Sequence, residues 1–167
     1  MRSVFDRTLF VLGRAVTAAA PAGLLLWLLA NVTVGGSSIL AHCAGFLEPL
    51  GRLMGLDGVI LLAFLLGLPA NEIVVPIMLM SYLSQGVLQQ PGSLAEMQGV
   101  FLANGWTPGT ALCVMLFMLM HWPCATTLMT IRKETGSTKW TVLAAVLPTL
   151  CGITSCIIVN GIYQLFV

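Results

Sequence analysis

The chain of 167 residues is 58% hydrophobic and 8% charged, with seven basic and six acidic side chains and a mean hydropathy of +0.99. Soluble domains carry about 25% charged residues, so this composition excludes a water-coated globule, and a net charge of +1 leaves no electrostatic footprint for nucleic acid. Five cysteines without a CxxC pair, mostly inside apolar runs, exclude a secreted disulfide framework. The class that remains is an all-α polytopic membrane protein whose main partner is the lipid bilayer.

In chain order, residues 15–34 form the first predicted span, uncharged and long enough for a hydrocarbon core of about 30 Å. Pro21 falls in its second turn, where a lost N–H is tolerated. Arg2, Arg7 and Arg14 precede it, and no small-residue cleavage site marks a signal peptide. Residues 39–54 carry Leu40, Cys43, Ala44, Leu47, Leu50 and Met54 at helical spacing, with Glu48 and Arg52 four apart and Gly55 beyond. This is the pattern of an amphipathic helix on the membrane surface.

Asp57 can cap the next apolar run, which breaks at Gly67-Leu68-Pro69-Ala70-Asn71-Glu72 and resumes to Leu83. A polar pair after Gly and Pro, between two apolar limbs, predicts a broken or re-entrant helical hairpin over 57–83. The polar loop 84–105 contains Ser93-Leu94-Ala95-Glu96, a capping-box signature. Thr107-Pro108 opens a second span, 108–131, interrupted at His121-Trp122-Pro123-Cys124. A basic loop, Arg132–Lys139, leads into a third span, 140–167, anchored by Trp140 and Tyr163. The positive-inside rule places Arg2–Arg14 and Arg132–Lys139 on one side, which requires the 57–83 hairpin to return to the side it entered.

Four residues stand out for chemistry. Glu72 is the carboxylate between two apolar limbs, and ionisable groups inside a membrane are expensive enough to mark function. The structural alternative is that Asn71 caps the second limb and Glu72 complements its dipole. His121 and Cys124 offer N and S ligands beside a proline that frees carbonyls, although HxxC alone does not close a metal site. The alternative there is an interfacial His-Trp belt with a small buried cysteine. Cys113, Met115, Met118 and Met120 are weaker metal candidates, since methionine at helical spacing mostly fills a core. Cys151 and Cys156 are expected as small buried packing residues, and His42-Cys43 is not expected to share a metal. No GxxxxGK[ST], GxSxG or HExxH string is present, so the chain itself is not expected to be an enzyme.

Several strings carry a more specific likeness. Gly67-Leu68-Pro69-Ala70-Asn71-Glu72-Ile73-Val74-Val75-Pro76, Ala103-Asn104-Gly105-Trp106, Leu119-Met120-His121-Trp122-Pro123-Cys124-Ala125-Thr126-Thr127 and Ile131-Arg132-Lys133-Glu134-Thr135-Gly136-Ser137 resemble the C-terminal membrane region of FeoB-type ferrous iron transporters. The resemblance runs from about Phe10 to Ile162 and corresponds to that family's second Gate (nucleoside-recognition-like) repeat.

It implies one half of a multi-pass Fe2+ permease in a bacterial inner membrane. Fe2+ would be the transported ion, and no cofactor would be tightly bound. It implies Cys124 on the ion path, with Asn71 and Glu72 at the other break. Its partners would be a GTPase-plus-first-Gate polypeptide, or the missing N-terminal part of the same protein, and small Feo accessory proteins. Homo-oligomerisation stays open. The GTPase module and first Gate repeat of the family are absent from this sequence, so neither GTP hydrolysis nor transport is expected of it alone. The alternatives are a Gate-fold transporter for a nucleoside or other small solute, and a non-conducting structural membrane subunit.

Overall fold

The computed structural model describes residues 2–83 and 92–166; the side chains of residues 2–7, 10, 11, 14, 15, 18, 19 and 22 lie outside that description, as do residues 84–91 of the expected polar loop. The elements are α1 (Arg2–Asn31), β1 (Thr33–Val34), β2 (Ser37–Ser38), α2 (Ile39–Leu53), α3 (Gly58–Leu66), α4 (Val74–Tyr82), α5 (Leu94–Ala103), α6 (Pro108–Met120), α7 (Ala125–Thr135) and α8 (Thr138–Phe166). The all-α class expected from composition is the one observed.

The first helix differs in its bounds from the predicted 15–34. It begins at Arg2 and stops at Asn31, whose side-chain amide donates to the Trp27 carbonyl at 2.9 Å. The residues beyond it form a small antiparallel ribbon, Thr33 opposite Ser38 and Val34 opposite Ser37. Gly35 and Gly36 turn it with φ of 64° and 89°, a two-residue turn that needs positive φ at both positions.

From there the chain makes a sharp corner. Ser38 caps α2 by accepting from the Ala41 N–H, and α2 meets α3 at 110°. Glu48 straps this corner: one carboxylate oxygen accepts from the Gly58 N–H at 2.8 Å and the other from Arg52 Nε at 2.9 Å. Gly58 allows the close approach, because a Cβ there would collide with the Ala44 carbonyl oxygen. The expected helix over residues 39–54 is present as α2, with the first hairpin limb turned steeply away from it.

The hairpin itself is the core of the molecule. Helices α3 and α4 have nine residues each, about 13 Å of rise, less than half of a hydrocarbon layer. Both are apolar all round, and Ile60, Ala63, Phe64, Val74, Ile77 and Met78 are fully buried. Their far ends are tied together. Asp57 accepts from the Ile60 N–H at 2.7 Å through one oxygen and from the Tyr82 hydroxyl through the other. Trp106 Nε1 donates to that same Tyr82 oxygen at 2.9 Å, and its indole stacks on Phe101 with centroids 4.2 Å apart. The base of the hairpin is thereby joined to the α5–α6 elbow.

Helices α6 and α8 pack antiparallel. Tyr163 lies over Gly109, and Phe117 and Met120 lie over Gly152. Between these contacts Cys156 Sγ donates to the Cys113 carbonyl at 3.3 Å and Cys113 Sγ to the Cys156 carbonyl at 3.8 Å. Small residues let the helices approach, and thiol-to-carbonyl bonds link them where neighbouring lipid offers no partner. Cys151, expected as buried packing, is exposed instead, since it faces away from α6.

Among the described residues, two helical stretches are long and apolar enough to cross a membrane: 108–135, with a break inside it, and α8. The bent α2–α3 pair would be a third only as one span.

The Gly58 amide and the Arg52 guanidinium hold the Glu48 carboxyl below its ordinary range. A carboxyl whose folded pKa is depressed stabilises the fold above its unfolded pKa, and that contribution is lost as pH falls through the folded value. Thermal melts of detergent-solubilised protein across pH 3–7, a range of about four units around the carboxylate pKa, should therefore show a steeper acid loss for wild type than for Glu48→Gln. Gly58→Ala should abolish a monodisperse folded species in size-exclusion chromatography. Gly45→Ala, with nothing within 4 Å of the added Cβ, should leave it intact.

Candidate ion-path junction

Two interruptions of regular helix, about fifty residues apart in sequence, meet in space. The first is the hairpin tip. Helix α3 ends at Gly67, whose N–H reaches the Ala63 carbonyl at 2.8 Å, and the Ala70 N–H reaches the Gly67 carbonyl at 3.0 Å. Residues Asn71–Ile73 then form one 3-10 turn leading into α4. Pro76 sits in the first turn of α4, where its missing N–H leaves no bond unmade.

The second interruption is His121–Cys124. The His121 N–H closes α6 on the Phe117 carbonyl at 2.8 Å, and the backbone then runs extended at His121 and Cys124 before α7 begins. Pro123 cannot donate, so the helix cannot continue through it. The first N–H of α7, that of Ala125, donates instead to the Leu68 carbonyl on the hairpin tip at 2.9 Å. That single bond ties the tip to the break. The carbonyl ends of α3 and α6 both arrive here, and carbonyl ends favour a cation.

The four leading candidates do not play equal parts at this junction. His121 is the buried polar side chain, 8% exposed and ringed by Phe64, Phe117 and Trp122. Its Nδ1 lies 2.9 Å from the Met118 carbonyl. A carbonyl can only accept, so Nδ1 carries a proton, and in the neutral ring Nε2 is then the acceptor. Cys124 is half-buried, its thiol 3.1 Å from the hydroxyls of both Thr126 and Thr127. The structure thus adds two threonines to the neighbourhood of the thiol.

Asn71 is half-buried, and its side-chain oxygen is buried without a hydrogen-bond partner. It does not cap the second limb: the turn starts from Ala70 and α4 from Ile73, neither with a side-chain cap bond. Glu72 is exposed on the outside of the 3-10 turn. Its one-residue offset from Asn71 sends the two side chains in different directions. Among the described residues no three of His, Cys, Asp and Glu come together as a metal cage.

The weaker candidates lie away from the junction. Cys113 is fully buried against α8, Met115 is 63% exposed, and Met120 accepts a weak bond from Ser155 at 3.8 Å. Met118 is half-buried beside the core, and its carbonyl, not its sulfur, serves the site. A cavity of about 610 Å³ opens at the opposite end of the hairpin, lined in part by Ser38, Ala44, Glu48, Arg52, Val59 and Ser81, and touches none of the junction residues. Trp122, expected only as part of an interfacial His-Trp belt, belongs to the junction, and its indole nitrogen is buried without a partner. It was legible only as part of the His-Trp-Pro-Cys string.

The Gate family profile, described as nucleoside recognition, matches residues 12–138 and so contains the tip, the break and the elbow between them. The chain belongs to the Gate family. The FeoB resemblance seen in the strings also holds along the chain. The Fe(2+) transporter FeoB of Staphylococcus aureus strain MSSA476, and that of strain MW2, are each 30% identical over 99% of this chain and 25% of the relative. FeoB of strain COL is 29% identical over the same shares. The chain therefore spans about a quarter of the length of these curated relatives. No solved structure gives a significant match. With this similarity and its apolar helices, the Gate chain is a membrane protein.

Burial sets the reactivity of the thiols. Maleimide labelling of the folded protein in detergent should spare Cys113 and Cys156, both fully buried, and modify Cys124. Unfolding in detergent should expose all of them, read as mass shifts on their peptides. Labelling of Cys113 in the folded state at the rate of Cys124 would contradict the α6–α8 contact.

Proposed function

We propose that this Gate chain is the membrane part of a ferrous iron permease and forms one half of its translocation pathway. The observation that carries the reading is the Leu68–Ala125 bond, which joins the two broken helices whose strings carry the FeoB likeness. Discontinuous helices meeting inside a bundle are how membrane transporters present carbonyls and polar side chains to an ion. Asn71, His121 and Cys124 supply O, N and S donors too few to form a tight cage, which suits an ion that must leave again. Glu72, exposed beside them, faces the missing half or the entrance. Fe2+ is the transported substrate, and the chain needs no tightly bound cofactor.

In this reading the chain is multi-pass in a bacterial inner membrane. Helix α1, the 108–135 stretch and α8 are its spans, α2 lies on the surface, and the α3–α4 hairpin re-enters. It works with a GTPase-plus-first-Gate polypeptide, or with the N-terminal part of a longer protein of which it is a portion, and with small accessory proteins. The description of the Gate family favours a second reading, transport of a nucleoside or similar solute.

Uptake of ferrous iron by cells expressing the chain with the polypeptide that completes it tests the assignment. Cys124→Ser and His121→Ala should each lower uptake at limiting iron by about tenfold or more, the scale of losing a partner that holds a metal or orients what binds it. Undiminished uptake in Cys124→Ser combined with Glu72→Ala would remove the path from these breaks. Inhibition by nucleosides, but not by competing divalent ions, would favour the second reading.

A further inference from the structure

The junction leaves three buried side-chain atoms without a hydrogen-bond partner: Asn71 Oδ1, His121 Nε2 and Trp122 Nε1. Buried polar atoms in native proteins are nearly always satisfied, so orphans on the two breaks that the Leu68–Ala125 bond joins point to a ligand. These three are not of one kind. Asn71 Oδ1 is an acceptor. His121 Nε2 is an acceptor too, because Nδ1 spends its proton on the Met118 carbonyl. Trp122 Nε1 can only donate.

A bare cation fits two of the three. It would take lone pairs from the amide oxygen and the imidazole, but it would leave the indole N–H facing a charge of its own sign. Water fits the whole set. It has two hydrogens for two acceptors and an oxygen that accepts from the indole, and its second lone pair stays available for a metal ion. A buried water is held by two to four such partners, about the number present here.

Ligand supply points the same way. Among the described residues no three of His, Cys, Asp and Glu converge, and Cys124 would add a single sulfur at most. Divalent ions of this size take about six ligands. The junction cannot provide them, so an ion stopping here must bring some of its own.

We propose that the substrate meets this junction as a hydrated divalent cation held through its water, with the Trp122 N–H donating to a metal-bound water and Asn71 and His121 accepting from it. Trp122 is then a specificity-determining residue, selecting ions that keep a water shell over thiophilic ions that shed it. This rests on the permease reading above.

The test uses Mn2+ alone as a paramagnetic divalent probe, added to the full chain in lipid nanodiscs in D2O. Pulsed electron–nuclear double resonance should show strongly coupled exchangeable deuterons on the bound Mn2+. Trp122→Phe keeps an aromatic ring beside Phe117 and should weaken Mn2+ binding about tenfold, the scale of one hydrogen bond to a polarised group. Asn71→Leu should weaken it similarly. Bound Mn2+ without exchangeable deuterons, or binding unchanged in Trp122→Phe or in Asn71→Leu, would overturn the hydrated-ion proposal while leaving the permease reading in place. If Trp122→Phe does not fold, the deuteron signal of the wild type decides. Absence of any Mn2+ or Fe2+ binding by the wild type would overturn both.

Discussion

Backbone amides and carbonyls that enter a hydrocarbon layer must find partners within the protein, and α3 and α4, at nine residues each, are too short to cross one. The rest of the fold answers that constraint. The hairpin limbs are apolar because most of their side chains are buried in the core. Tyr82, Asp57 and Trp106 close the base, and the tip is paired within itself and with Ala125.

The break in the α6–α7 stretch then has a structural reason as well as a chemical one. Pro123 removes a donor and frees carbonyls, and the extended backbone at His121 and Cys124 lets the first amide of α7 bond to the tip. The same geometry buries His121 among aromatic rings with its tautomer set by a carbonyl. It also leaves Asn71 and Trp122 with unspent bonding capacity. A packing solution and a polar junction thus share the same few residues, and α8, pinned to α6 through Cys113, Cys156 and Gly152, holds α6 against movement along its axis.

Local chemistry was legible along the chain wherever it acts over a few residues. The caps at Asp57, Ser93 and Thr107, the proline that opens α6, the Glu48–Arg52 pair and the left-handed stop at Gly55 all stand where spacing puts them. Both helix interruptions were visible as polar residues and prolines inside apolar runs. The ribbon at Thr33–Ser38 was read as the end of a span, because two residues per strand carry no period to detect. Asn71 read as a cap from its position alone; its side chain instead faces the protein, and Glu72, one residue on, faces out.

Composition and periodicity by themselves therefore determined the solvent, the helical class and the existence of two breaks, since each depends on neighbours within a turn or two. Only the tertiary structure decided that the breaks meet and that the hairpin is the core. It alone showed that Trp122 belongs with Asn71 and His121 and that Cys151 and Cys156 have opposite environments. Those outcomes rest on contacts between residues 25 to 57 positions apart, Asp57 with Tyr82, Leu68 with Ala125 and Cys113 with Cys156, and no local pattern encodes which distant backbone group will satisfy a given N–H.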